Sequence, residues 1–387
     1  MEVMTEKLEL QLDKSTWTPV KFGDVVKEPK ENCKDPLAEG IEHVVGLEHI
    51  TSGDIHLRNS ASIAESTTFT KKFAKGDVLF GRRRAYLKKA AQANFDGICS
   101  GDITVFRAKP NLLPELLPFI VNNEKFFDYA VKHSAGGLSP RVKFKDLANY
   151  EFLLPPKSEQ ARLAKLLWAM DEVIEREKEV LEKLDLNKRT LFNELHKLRF
   201  NSYNLLENLC LKISSGGTPS RQKEVDYFGG DIPWVKTKEL NDWIVSETEE
   251  SITDLGLKNS SAKLYPPNTI LLAMYGVTVG KIGVIDKEMA CNQACCALIV
   301  DSDKIDNWFL FYYLIALRER LIALSVGSAQ PNISSGIIKK IKIPNLTIEK
   351  QRGFTNRFLK IDESHAEVRI KIDTSKSLQK SLINQVF

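Results

Sequence analysis

The sequence predicts a mixed α/β (α+β) chain built as an internal pseudo-two-fold repeat, in which two globular domains are separated by two long helices packing as a coiled coil, antiparallel or parallel. Three observations predict it. The length of 387 residues exceeds one ordinary core and suits two domains of about 150 residues with connecting elements. Two stretches, residues 158–199 and 349–387, carry apolar side chains at alternating steps of four and three, the heptad rhythm of helices packed along one seam. The two stretches also keep one register. Leu163 and Phe354, Met170 and Ile361, and Leu195 and Val386 all lie 191 residues apart, as do Gln160 and Gln351, Ser134 and Ser325, and Pro140 and Pro331. One offset held through a loop, a strand exit and a helix is the signature of duplication.

The expected order is a first domain (1–155), a long helix (156–200), a second domain (201–343) and a second long helix (344–387). In the domains, short apolar runs alternate with glycine turns, as in Val78-Leu-Phe80, Ile103-Thr-Val-Phe106, Ile270-Leu-Leu-Ala273 and Ile282-Gly-Val-Ile285, and short helical patterns follow at 116–131 and 308–324. An apolar strand ending in proline precedes each long helix, at Pro155 and at Pro344. Ser158 and Thr347 are the expected N-caps, with Glu159 and Glu349 at the positive end of each helix dipole. The seams run through Leu163, Leu167, Met170, Ile174, Leu181, Leu184, Leu191, Leu195 and Leu198, and through Phe354, Phe358, Ile361, His365, Val368, Ile372, Ser375, Gln379, Leu382 and Val386. Glu177 and Lys188 interrupt the first. A helix over 160–198 is about 58 Å long at about 1.5 Å per residue, and polar on most faces, so it needs a partner: the other helix, or its own domain. Trp168 lies off the seam and is either a partner contact or a packing residue.

Composition bounds the function. Hydrophobic residues at 43% and charged residues at 27% belong to a soluble globular class. No apolar run reaches the roughly 18 residues of a membrane span, and the first 17 residues have no signal-peptide pattern, so a cytoplasmic location is expected. Six cysteines make no disulfide framework. Cys291, Cys295 and Cys296 read as a buried strand entry rather than a metal site, and His43, His49 and His56 as surface or loop residues. The net charge of +4 is a weak pointer to nucleic acid, so the placement of the charge must decide.

The positive charge is placed unevenly. Arg82, Arg83, Arg84, Lys88 and Lys89 crowd around Tyr86 just after a strand. Lysines and arginines hold phosphates, and arginine forks read guanine edges; a solvated loop is the alternative. Tyr275, Thr278 and Lys281 occupy the matching segment of the second domain, and Thr218, Arg221, Lys236 and Lys238 lie around a Gly-Gly-Thr-Pro turn. Gly216 and Gly217 serve either close approach to a phosphate or a plain tight turn. Arg141, Gln330 and Asn332, beside the repeated prolines, have donors and acceptors suited to base edges. No catalytic or metal site emerges. The Pro-Pro pairs at 155–156 and 266–267 lack the flanking residues of an adenine methyltransferase loop. Gly276-Val-Thr-Val-Gly-Lys-Ile282 is one residue short of a phosphate-binding loop and has isoleucine where a hydroxyl is needed.

These segments carry a resemblance. Ser214-Ser-Gly-Gly-Thr-Pro-Ser-Arg221, Tyr227-Phe-Gly-Gly-Asp-Ile-Pro-Trp-Val-Lys-Thr-Lys-Glu-Leu240, Met274-Tyr-Gly-Val-Thr-Val-Gly-Lys-Ile-Gly283 and Asn292-Gln293 look like the target recognition domain of the type I restriction–modification specificity subunit (HsdS family). Gly76-Asp-Val-Leu-Phe-Gly-Arg-Arg-Arg-Ala-Tyr-Leu-Lys-Lys89 and Phe95-Asp-Gly-Ile-Cys-Ser100 fit a related version, and Pro155-Pro-Lys-Ser-Glu-Gln160 resembles the start of the family's long helix. The first domain lacks the Gly-Gly-Thr-Pro opening and has Val44-Val-Gly-Leu-Glu-His-Ile50 where the second has Ile232-Pro-Trp-Val-Lys-Thr-Lys238, so the two should read different half-sequences. The resemblance implies a non-catalytic DNA-binding subunit. Its partners would be double-stranded DNA with a bipartite site, two modification (adenine-N6 methyltransferase) subunits, and restriction/translocase subunits. It would bind no cofactor itself, with S-adenosylmethionine, and ATP and magnesium for restriction, on those partners. The competing reading is a scaffold whose duplicated domains bind proteins.

Overall fold

Where β-branched and aromatic residues run without polar interruption, the chain forms strands covered on both faces: Val78–Gly81, Ile270–Ala273 and Ile282–Ile285 are buried throughout. The computed structural model describes residues 13–63, 68–197, 202–323 and 332–387; Leu198, Ser325, Gln330 and Pro331 lie outside them. Residues up to Val180 together with Val368–Phe387 form one compact unit, and Leu181–Glu367 the other.

Each unit repeats one plan. In the first, an antiparallel sheet runs in the order Val26–Lys27, Ile103–Ala108, Val78–Gly81, Ala90–Gln92. In the second, the order is Cys210–Ser215, Cys295–Val300, Ile270–Ala273, Ile282–Ile285, extended by Ile244–Val245. The register matches residue for residue. Val78 faces Phe106 and Gln92, while Ile270 faces Leu298 and Val284, each 192 positions on. A second sheet holds one parallel pair in each unit, Val44–Val45 on Ile98–Cys99 and Trp234–Val235 on Ala290–Cys291. A two-stranded ribbon returns the chain to each long helix: Thr18–Lys21 on Glu151–Leu154, and Tyr203–Leu205 on Lys342–Pro344.

The long helices span Lys157–Lys197 and Ile348–Val386, and each contributes a segment to both units. Within each unit the two segments run antiparallel. In the first, Gln379 Nε2 donates to the Leu167 carbonyl (3.3 Å) and Ser375 to Glu177 (3.4 Å). In the second, His365 meets Asp185 (3.3 Å), Lys188 pairs with Asp362, and Arg357 meets Glu194 (2.8 Å). The two seam interruptions, Glu177 and Lys188, thus find polar partners on the facing helix, a device that fixes register and direction.

Burial along the seams is uneven. Leu163, Leu167 and Ile174 are buried, and Leu163 and Leu167 join the core of the first unit with Leu382, Ile383, Val386 and Phe387 around Phe22, Phe80, Phe106 and Phe126. Leu191, Leu195 and Phe358 join the core of the second, where Phe358 stacks on Tyr312 (4.4 Å) and meets Phe192 (4.7 Å). Ile372 is buried, whereas Met170, Leu181, Phe354, Ile361 and Val368 are half-buried. The end segments of both helices join the domain cores, and polar pairs along their length link the two helices.

Ser158 is not the N-cap. The first long helix begins at Lys157, and the Pro156 carbonyl accepts from Glu159 and Gln160 (both 2.9 Å), because the proline pair already supplies the extended entry. The residue that secures each helix start is a buried glutamine. Gln160 accepts from Leu113 N (2.9 Å) and donates to the carbonyls of Pro155 (2.9 Å) and Asn111 (3.1 Å). Gln351, at the repeat position, accepts from Asp306 N (2.8 Å) and donates to the Leu346 carbonyl (2.8 Å).

Candidate nucleic-acid interface

In the first unit, strand Val78–Gly81 leaves the sheet into residues 82–89, and backbone hydrogen bonds tie two further loops to that exit. Arg82 donates to the Asp102 carbonyl (3.0 Å) and accepts from Val142 (3.0 Å), while Arg84 N donates to the Pro140 carbonyl (2.8 Å). Arg83 and Arg141 form an isolated β-bridge. Their side chains converge on one acid: Arg141 Nε lies 2.7 Å and Arg83 NH1 3.2 Å from the Asp102 carboxylate. Burial pushes that carboxyl up, but the hydrogen bonds from Arg141 and Arg83 outweigh it and hold it below the usual carboxylate range. Ser139 Oγ accepts from Arg83 (3.1 Å), and Lys89 donates to the Leu47 carbonyl (2.7 Å), which ties in the loop over 46–50. Arg84, Tyr86 and Arg141 are exposed, and Lys88 is half-buried.

The second unit builds the same surface. Tyr275 and Asn332 form the bridge equivalent to Arg83 and Arg141, and Ile333 N donates to the Met274 carbonyl (2.7 Å) as Val142 does to Arg82. Met274 N reaches the Ala294 carbonyl (2.8 Å), and Thr218 hydrogen-bonds Gln293, so the Gly-Gly-Thr-Pro turn joins the loop over 274–281. Lys281 is exposed and Thr278 half-buried. Gln330 lies outside the described residues.

The charges differ between the units. Arg221 is 2.5 Å from Glu250 and 2.9 Å from Glu224 with its guanidinium 4.0 Å above Phe228, Lys236 is 2.8 Å from Glu250, and Lys238 pairs with Glu249. The hydrogen bond to Glu250 keeps Lys236 above its ordinary value, and that to Lys236 keeps Glu250 below its own. Nothing in the sequence marks the acids that pair with these three cations. Buried polar atoms without a protein partner include Arg82 Nε, Arg83 Nε and Asn292 Oδ1, all in these two loop clusters.

Three readings need correction. Gly216 and Gly217 are glycine for internal packing: an added Cβ would lie 2.1 Å from the Cys291 carbonyl oxygen and 2.2 Å from Ser261, and the Gly217 carbonyl accepts from Trp234 Nε1 (3.0 Å). His56 is not a free loop residue, since its Nε2 lies 2.6 Å from Asp171 on the long helix. His43 sits in strand His43–Val45 and hydrogen-bonds Ser60 (2.8 Å). Trp168 packs on Phe119 (5.2 Å) and donates to the Glu115 carbonyl (2.9 Å), so its visible role is within its own unit. Cys291, Cys295 and Cys296 are buried, as their apolar setting suggested. No helix among the described residues is long and apolar enough to cross a membrane.

The duplicated architecture has counterparts. The family model described as the type I restriction modification DNA specificity domain matches the chain twice, over residues 14–186 and 206–363. The MjaVIII specificity subunit of Methanocaldococcus jannaschii is 24% identical over 402 aligned residues, covering 95% of this chain and 91% of that protein. The MjaIX specificity subunit of the same organism is 30% identical over 146 residues, 36% of this chain and 33% of its own length. Among solved structures, the S subunit from M. genitalium superposes with a TM-score of 0.62 at 15% identity over 98% of each chain. A chain from a study of type I restriction–modification complex assembly gives 0.60 at 21% identity over 96% of each.

Proposed function

The chain belongs to the family of type I restriction–modification DNA specificity proteins and serves as a DNA-recognition subunit; from that premise we propose how its two units divide the work. Each reads one half of a bipartite duplex site through its bridged loop pair, Arg83 with Arg141 in one and Tyr275 with Asn332 in the other. The observation that carries this reading is the repetition: one backbone frame presents two different sets of donors and cations. In the first domain Arg82, Arg83, Arg84, Tyr86, Lys88, Lys89 and Arg141 face the duplex. In the second they are Thr218, Arg221, Lys236, Lys238, Tyr275, Thr278, Lys281, Gln330 and Asn332.

The subunit carries out no chemistry of its own. Methylation of adenine and its S-adenosylmethionine belong to two partner modification subunits, and ATP, magnesium and cleavage to restriction subunits. The paired helices set the unspecified spacer and dock the modification subunits. Leu166, Val173 and Val180, exposed at seven-residue spacing on the first long helix, are the docking residues this reading favours.

Methylome sequencing of a host expressing this chain with its modification subunit tests the assignment. A bipartite methylated site that vanishes when the chain is omitted is the expected result; methylation indifferent to the chain overturns it. Inserting one heptad into both long helices should lengthen the spacer, and an unchanged spacer removes the ruler role.

A further inference from the structure

We propose that Arg84 and Lys88 are phosphate-gripping residues whose charge the first domain keeps in place of the glycines its backbone favours. The inference rests on the DNA-reading function above and singles out two cations from the five in the loop over 82–89.

That loop occurs twice. Leu87 N donates to the Arg84 carbonyl (2.9 Å), as Val279 N does to Gly276 (3.1 Å); Gly81 N donates to Lys89 (2.9 Å), as Ala273 N does to Lys281 (2.8 Å). All four correspondences fall 192 positions apart. The same offset places Arg84 on Gly276 and Lys88 on Gly280. All four backbones are left-handed, with φ of 53° and 49° at Arg84 and Lys88, and 84° and 79° at Gly276 and Gly280. For an L-residue with a long side chain this region brings Cβ against the neighbouring carbonyl, whereas glycine enters it freely. The second domain uses the residue the geometry favours. The first uses arginine and lysine. Among the described residues the other non-glycine left-handed positions are Lys30, Asp242 and Asn268, and two of these are the Asp and Asn types that tolerate the region.

Internal contacts do not account for that choice. Arg84 is exposed, and its side-chain contact is NH2 to Ser139 Oγ at 3.5 Å, the weak limit of a hydrogen bond. Lys88 lies near the Glu124 carboxylate, which Lys380 already pairs at 2.7 Å. The structural tasks in the loop fall to others: Arg83 and Arg141 brace it through Asp102, and Lys89 through the Leu47 carbonyl. Arg84 and Lys88 flank exposed Tyr86 and stand at the two ends of the short helical turn Ala85–Leu87. Strain retained at a surface that otherwise needs none marks a residue kept for what it binds, and two cations without an internal task fit the phosphates of a duplex.

The test measures thermal stability of the full chain, and its affinity for a labelled mixed-sequence duplex across a salt series, since phosphate contacts carry no sequence preference. The double variant R84G/K88G should melt at or above the wild-type temperature and bind about tenfold more weakly or worse. Its slope of log affinity against log salt should be shallower by about 2, the release from two phosphates. R84A/K88A should lose the same binding but melt below the glycine variant, and R84K/K88R should restore the slope. Wild-type slope and affinity in R84G/K88G overturn the inference and leave the DNA-reading function standing. A glycine variant that melts well below the wild type overturns it too, because the side chains would then be structural. If the wild-type chain shows no salt-dependent binding, the DNA-reading function fails first.

Discussion

The two units share a frame and differ in what they hang on it. Gln160 and Gln351 occupy repeat positions, are equally buried, and do the same job of joining a helix start to the preceding loop. Asp171 and Asp362 also lie 191 residues apart, yet one binds His56 and the other Lys188 and Tyr312. At the candidate interface the divergence is wider still: three arginines and two lysines share few acids in the first unit, whereas Arg221, Lys236 and Lys238 are matched by Glu224, Glu249 and Glu250 in the second. The two glutamines are kept through the duplication, whereas charge-bearing positions change, including the left-handed pair Arg84 and Lys88 that stands where the second unit has Gly276 and Gly280. Duplication therefore preserves geometry while permitting two different specificities.

The largest effect should come from the shared frame. Phe358→Ala removes a fully buried ring from the second core and should cost about 3–5 kcal/mol in denaturant unfolding. Gln160→Ala and Gln351→Ala each strand buried backbone groups and should cost about 2–3 kcal/mol. The two losses should be similar; a loss confined to one would break the equivalence of the units.

The aspartates sharpen the contrast. The hydrogen bond to Asp171 raises the His56 pKa above its ordinary 6.5, burial opposes this, and Asp171 and Glu175 add favourable charge while Arg58 subtracts. Glu175 is itself paired with Arg58 (2.8 Å) and Lys178 (2.7 Å), and Arg58 with Asp54 (2.5 Å). A folded-state pKa raised above the unfolded one stabilises below pH 6.5, and that contribution fades as pH rises through the folded value. Between about pH 6 and 8.5 the first unit should lose on the order of 1 kcal/mol or less relative to a His56→Gln variant. The Lys188–Asp362 pair contains no histidine, so Lys188→Gln should lower stability and leave the pH dependence set by His56 as it was. Equal pH dependence in wild type and His56→Gln would remove the distinction.

The sequence made the repeat legible where one offset runs unbroken, along the seam residues and the two buried glutamines. In the domains the same repeat was hidden. Val78-Leu-Phe-Gly81 and Ile270-Leu-Leu-Ala273 are equivalent strands with identical register, but apolar residues interchange freely in a buried strand, and the offset drifts between 190 and 192 as loops change length. The basic cluster was visible because its residues are contiguous. Asp102 was not, nor were the Glu249 and Glu250 partners of the second unit, because only the fold brings them beside their cations. The same holds for His56 and Asp171, 115 residues apart. Gly216 and Gly217 were misread because tight internal packing and close ligand approach both demand glycine, and sequence alone does not separate them.

The independence of the two DNA readers on one frame can be measured. Its most direct test exchanges residues 1–155 for the first recognition domain of another family member, leaving both long helices and residues 201–343 intact. Methylome sequencing then reads the site. One half of the methylated sequence should change while the other half and the spacer stay as they were. A change in both halves would show that the two domains do not read independently.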